Sequence, residues 1–211
     1  KFIKSNLGEL PPILAQRLVD SNAKIAQTAI EISTQLATSI GSPCKQHIRV
    51  LLPSVLRGLG DNKSYLRTAC IACMNTWGEQ CGYKEFFDGE MFADALKVGT
   101  PALKVEIWGW LAEKLPNIPP KTINKEELIS CLPHLFANIT DRSVDVRKNA
   151  NDCVLGIMMH LGYDAMSKAM DKQKPASKKD IQAALDKARP NLPVKPLPKG
   201  KQQAPIVEDT K

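Results

Sequence analysis

The feature that most limits what this chain can become is an internal repeat. Three segments align without gaps, Asp20 to Gly41, Asp61 to Gly82 and Asp141 to Gly162, each running 21 positions from Asp to Gly. Five positions after the Asp stand Ile25, Leu66 and Val146, and nine after it Ala29, Cys70 and Ala150. Twelve after it come Ile32, Cys73 and Cys153, sixteen after it Leu36, Trp77 and Ile157, and twenty after it Ile40, Cys81 and Leu161. Steps of 4, 3, 4 and 4 keep one face of an α-helix apolar. The pattern predicts a helix opened by a capping Asp and closed by a Gly at a left-handed C-cap.

A fourth copy is shifted. Leu103-Lys104 takes the place of Leu66-Arg67 and Val146-Arg147, and Ile107, Trp108, Leu111 and Leu115 carry the stripe. Its Asp is replaced by Gly99-Thr100-Pro101, with Pro suited to a first helical turn. The spacings are 41 residues from Asp20 to Asp61, then 37 and 43 from Arg67 through Lys104 to Arg147. A mean of about 40 is the period of HEAT and armadillo arrays. Each helix has an apolar partner before it, marked by Leu10, Ile13, Leu14 and Leu18, by Ile48 to Leu59, by Phe86, Phe87, Met91, Phe92 and Leu96, and by Leu128, Leu132, Leu135, Phe136 and Ile139. A shorter pair near Ala165–Met170 and Ser177–Ala188 closes the array. The expected fold is therefore all-α, an α-solenoid of stacked antiparallel helix pairs.

Composition narrows the function. With 43% hydrophobic, 5% aromatic and 24% charged residues the chain is neither a disordered tail nor a membrane protein, because no apolar run reaches the length of a bilayer span. The net charge of +7 is concentrated: residues 172–201 hold nine Lys/Arg against two Asp/Glu, leaving about +1 on residues 1–171. A nearly neutral body argues against specific nucleic-acid binding and against a HEAT-like enzyme that works on nucleic acid. Beyond Pro190, Pro193, Pro196, Pro198 and Pro205 among lysines read as a flexible basic linker over residues 191–211. Lys1, with neither Met nor a basic and apolar leader, reads as the start of a fragment without a secretory signal. Six cysteines in a chain of this size fit reduced thiols in a cytosolic protein better than a secreted disulfide scaffold.

No catalytic constellation emerges. Cys70-x-x-Cys73, with Cys81 nearby, has the first half of a zinc spacing, but all three lie on the apolar stripe and no second ligand pair follows. His47, His134 and His160 fall in different repeats, and Gly58-x-Gly60 lacks the third glycine and preceding strand of a dinucleotide site. Trp77 belongs to the core, while Trp108 and Trp110 cannot both face inward, so one packs against the next repeat. No cofactor, metal or enzymatic activity is expected.

What remains is the loops. In stacked hairpins the loops inside each repeat share one edge: Asp20-Ser21-Asn22, Asp61-Asn62-Lys63-Ser64, Lys97-Val98-Gly99-Thr100 and Asp141-Arg142-Ser143. The turns between repeats, Gly41-Ser42-Pro43, Gly82-Tyr83, Pro116–Pro120 and Gly162-Tyr163, share the other. A rigid row of polar and basic loops suits an extended acidic partner, although such loops also occur simply as solvated caps. Arg67 and Arg147, six positions after their Asp, fit either an Asp–Arg ladder between repeats or partner contact. Arg142 and Lys148, with no structural partner evident, are the stronger recognition candidates.

The stretches GELPPILAQRLVDSN, LLPSVLRGLGDNKSYLRTA, GWLAEKLP, CLPHLFANITDRSVDVRKNA and MMHLGYDAMSKAM resemble a TOG domain, closest to the fourth, of the ch-TOG/Mini spindles family of microtubule polymerases. The resemblance runs from about Lys1 to about Pro193. It implies a HEAT-repeat TOG domain over residues 1–190 that lacks the family's first repeat, a monomeric module in a longer multi-TOG chain. It further implies binding of αβ-tubulin through the intra-repeat loops, promotion of plus-end microtubule growth, and a place in the cytoplasm at plus ends, spindle and centrosome, with no membrane. Carried over by position, the contacts would be Ser21 and Asn22, then Asn62 and Lys63, then Lys97, Gly99 and Thr100, then Arg142, Arg147 and Lys148. The alternative is a generic HEAT scaffold that grips a protein partner on its concave helical face.

Overall fold

The computed structural model describes residues 6–194; residues 1–5 of the expected domain and 195–211 of the expected linker lie outside the described residues. Five helix pairs follow one another: α1 (Leu10–Leu18) with α2 (Ala23–Ile40), α3 (Ile48–Gly58) with α4 (Ser64–Cys81), α5 (Met91–Val98) with α6 (Pro101–Lys114), α7 (Lys125–Asn138) with α8 (Val144–Leu161), and α9 (Tyr163–Asp171) with α10 (Pro175–Ala188). The first helices pack side by side in one layer, α1 on α3, α3 on α5 and α5 on α7. The second helices form the other layer, α2 against α4 and α6 against α8 most extensively, with a slender α4–α6 junction.

Two layers enclose one continuous core, and most stripe positions fill it. Leu66, Cys70, Cys73 and Trp77 of α4 and Val146, Ala150, Cys153 and Ile157 of α8 are buried. Cys70 and Cys73 are core residues, and all six cysteines are free thiols. Four side-chain hydrogen bonds stitch the second-helix layer. Trp77 Nε1 donates to the Ser33 carbonyl and Trp110 Nε1 to Asn75 Oδ1, both at 2.9 Å. Asn149 Nδ2 donates to the Val105 carbonyl at 2.9 Å, and His160 Nε2 to the Leu115 carbonyl at 2.8 Å. A carbonyl can only accept, so this histidine carries its proton on Nε2.

Several expectations need correction. The first copy places Ile25 and Ile32 in the slots that bury Leu66 and Cys73, yet both are 42% exposed, and Leu10 and Ile13 are exposed beside them. Among the described residues no helix covers that side of α1–α2, whereas α2 itself covers α4. The expectation for the tryptophans holds: Trp108 and Trp110 do not face the same way and one packs against the next repeat, with both buried. Their side chains leave opposite sides of α6, and α6 is covered on both: Trp110 stacks on Phe86 and Phe92 at 5.8 and 5.7 Å between centroids, while Trp108 Nε1 donates to Asn138 Oδ1 of the next repeat at 2.9 Å. The third first helix is split, with a 3₁₀ turn over Lys84–Phe87 and then Gly89 and Glu90 at φ 94° and 60° before α5 begins. Its short helix is capped from a neighbour: the Phe92 N–H donates at 3.0 Å to Oε1 of Glu127, a side chain only 1% exposed that reaches across from α7.

The repeat-closing glycines do more than a left-handed cap requires. Gly41, Gly82 and Gly162 have φ of 71°, 78° and 88° with ψ of −149°, 178° and 155°. That combination of positive φ and extended ψ is open essentially to glycine alone. Each N–H still closes the last turn onto Ala37, Gly78 or Met158, at 2.9, 2.8 and 2.8 Å.

Candidate partner-binding edge

The recurring Asp is not itself the N-cap. Asp20, Asp61 and Asp141 each accept through Oδ1 from the backbone N–H two residues on, that of Asn22, Lys63 or Ser143, at 2.8, 2.7 and 2.9 Å. This is an Asx turn, and it sets the extended backbone from which the helix starts. The N-cap is the residue that donates to it: Asn22 accepts from Lys24 N–H at 3.0 Å and Ser143 from Val146 N–H at 3.5 Å, while Lys63 offers no side-chain cap. In the third loop Thr100 caps α6 by accepting from Leu103 N–H at 3.3 Å, and Pro101 follows as expected.

Backbone carbonyls are tied as well. Arg67 Nη1 donates to the Asp61 carbonyl at 2.7 Å, and Arg147 Nη1 to the Asp141 carbonyl at 2.7 Å. These arginines therefore fasten their own loops, which neither sequence alternative described. Arg67 also lies 3.4 Å from Glu106 of the following repeat. Two residues missed in the sequence complete the anchoring. Arg17 Nη1 and Asn138 Nδ2, each three positions before a recurring Asp, donate to its second oxygen at 3.0 and 2.9 Å. A polar residue three before the Asp was the available signal. The Arg17 and Asn22 contacts hold the Asp20 carboxyl below the usual carboxylate range, the Asn22 N–H being the larger cause.

The loops lie in one row. A methyl group on Gly60 would sit 3.2 Å from Thr100 Oγ1, so the second and third loops touch. The Asn149–Val105 hydrogen bond holds the first turns of α6 and α8 together, which brings the fourth loop beside the third. The first loop joins the row through the α2–α4 packing. Burial, with the charges of Lys104 and Lys97, lowers the pKa of half-buried His134.

The candidate residues divide by duty. Ser21, Asn62, Lys63, Lys97 and Arg142 are exposed, and the three cationic side chains form no ion pair or hydrogen bond with the described residues. Asn22, Thr100 and Arg147 serve the loops themselves. Gly99 is required sterically, since a Cβ would stand 2.8 Å from the Ala95 carbonyl oxygen and 2.5 Å from Leu103 Cδ2. Lys148, expected to be unpartnered, pairs with Asp152 at 2.9 Å one turn on, but both remain exposed. Among the described residues no group of His, Cys, Asp or Glu could hold a metal ion, and no helix is long and apolar enough to cross a membrane.

No family model matches the chain. Its whole length, 211 residues, is 64% identical to a stretch of Protein mini spindles from Drosophila melanogaster. The chain belongs to the Mini spindles family. Centrosomal protein 224 of Dictyostelium discoideum is 30% identical over 192 residues, 88% of the chain. The chain spans about a tenth of the length of these relatives, 10% and 9% respectively. Its fold is that of a TOG domain: Drosophila Mini spindles TOG3 superposes with a TM-score of 0.62 at 18% identity, over 92% of this chain and 85% of that one. A domain solved in work on TOG–tubulin binding specificity gives 0.63 at 15% identity, over 85% and 66%.

Proposed function

We propose that this member of the Mini spindles family is a tubulin-binding module, corresponding to the fourth TOG domain of a longer microtubule polymerase, and that its intra-repeat loop edge meets αβ-tubulin. In that protein it would support plus-end growth at the spindle and centrosome. The observation that carries the reading is the single row of pre-tied loops from which Lys63, Lys97 and Arg142 project unpaired. Support comes from the Drosophila relative and from the neighbour studied for tubulin binding. The uncovered apolar side of α1–α2 is where the family's first repeat would stack.

Lys63→Glu with Arg142→Glu tests the reading by size-exclusion chromatography with αβ-tubulin. Both positions are exposed, so the melting temperature should stay within about 1 °C while binding weakens tenfold or more at low salt. Unchanged binding by the double variant would remove the loop edge as the site. The alternative scaffold reading has one feature in its favour, a groove of about 470 Å³ between α3 and α5, lined by Pro53, Arg57, Met91, Asp94 and Val98 and bounded by the Arg49–Asp88 ion pair. Arg57→Glu should impair binding only on that reading.

A further inference from the structure

The six cysteines are not equivalent. Cys44, Cys70, Cys73, Cys131 and Cys153 are each at most 1% exposed, and Cys81 alone is half-buried. Cys81 is the last residue of α4, and Cys44 lies in a 3₁₀ turn, Ser42–His47, between α2 and α3. They stand 37 positions apart in sequence, yet that turn packs on α4. There the two thiols meet. Cys44 donates a hydrogen bond to the Cys81 sulfur, and Cys81 in turn donates to the Trp77 carbonyl at 3.1 Å. The result is a relay of two thiols from the sealed core to the surface, on the edge away from the intra-repeat loops. A buried structural thiol is inert, whereas a reachable thiol with a second sulfur at hand has a route to a stable oxidation product.

We propose that Cys81 and Cys44 are a modification site, a thiol pair that a hydroperoxide converts to a disulfide. The Cys44 contact holds the Cys81 thiol below its ordinary pKa against burial and the charge of Glu85, and Lys45 assists. The same contact, with burial, raises Cys44 and keeps its proton in place until it is needed. In the first step the Cys81 thiolate attacks one peroxide oxygen. An S–O bond forms, the O–O bond breaks, and the leaving alkoxide takes up the proton that Cys81 released. Cys81, oxidised by two electrons, is then a sulfenic acid. In the second step the Cys44 sulfur attacks the Cys81 sulfur. The S–S bond forms, the S–O bond breaks, and hydroxide leaves with the Cys44 proton as water. In sum, two thiols and one hydroperoxide give one disulfide, one alcohol and one water. The bond ties the turn that closes the first repeat to the end of the second, and leaves the loops proposed to meet tubulin free.

The test uses the whole 211-residue chain, reduced, freed of reductant and treated with a small molar excess of hydrogen peroxide, beside Cys44→Ser and Cys81→Ser. Peptide mass spectrometry without reduction should find Cys44 joined to Cys81 in the parent, and dithiothreitol should reverse the link. In Cys44→Ser the sulfenic acid has no second thiol to meet, so dimedone labelling of Cys81 should exceed that of the parent about tenfold or more. Cys81→Ser should lose free thiols about tenfold more slowly than the parent, because its remaining sulfurs are sealed in the core. A peroxide-treated parent without the Cys44–Cys81 bond, or with Cys44 joined to Cys70 or Cys73 instead, overturns the proposal. So does dimedone labelling no higher in Cys44→Ser, or equal thiol loss in Cys81→Ser. Should a serine variant fail to fold, the link found or missing in the parent decides alone.

Discussion

Replacing Asn138 with Leu should cost more than any surface change in this domain, because Asn138 joins the core to the fourth loop. Its Oδ1 accepts from the fully buried Trp108 Nε1, and its Nδ2 donates to Asp141, whose other oxygen holds the turn at Ser143. Leucine leaves the indole N–H without a partner, a penalty of about 1–3 kcal/mol. It also removes a hydrogen bond to a half-exposed carboxylate, worth about 1 kcal/mol after allowing for solvent. Extra apolar burial at a site 4% exposed returns about 1 kcal/mol. The net loss is about 1–3 kcal/mol, and for a domain of this size each kcal/mol lowers Tm by about 2–4 °C, so calorimetry should record a fall of about 2–12 °C. The cause can be isolated in a Trp108→Phe background, where no indole N–H is stranded and Asn138→Leu should cost about 1–3 kcal/mol less. An unchanged Tm, or an equal fall in both backgrounds, would refute the proposed link.

Two further outcomes follow from buried chemistry. Burial raises the pKa of Glu127 despite the Phe92 N–H that it accepts, and its Oε2 has no partner. The folded state thus keeps this proton to higher pH than the unfolded chain, and the associated stability is whole below about pH 4.3 and is lost as pH rises through the raised folded value. Urea melts from pH 4 to 7 should show the parent losing ground to Glu127→Gln as pH rises, and parallel curves would contradict the assignment. Among the thiols, Cys81 is half-buried and its pKa is lowered chiefly by a hydrogen bond with Cys44, while burial lifts Cys70 to about 12 and Cys73 to about 11. Limited alkylation followed by mass spectrometry should therefore mark Cys81 first, and prior labelling of Cys70 or Cys73 would overturn that order.

The second helices were legible because Asp, the apolar steps and Gly recur on one register, and each signal has a local cause. The first helices were less so, since α5 is shortened by the left-handed residue Glu90 and completed by Glu127, 35 positions from the Phe92 that it caps. Burial escaped the sequence wherever it depended on a neighbour. Ile25 and Leu66 hold the same slot with opposite exposure. At the candidate edge, the positions could be listed from spacing, but their duties could not. Arg147 and Arg142 differ only in that one reaches a backbone carbonyl and the other reaches solvent.

The Asx turns, caps and arginine ties of the intra-repeat loops also bear on the thermodynamics of association. Segments that must be ordered on contact give up conformational entropy at that moment, and their heat-capacity change exceeds what the interface alone accounts for. Here the backbone has already surrendered that freedom during folding. A ligand arriving at this edge should find a finished template, so that calorimetry reports only the surface it covers.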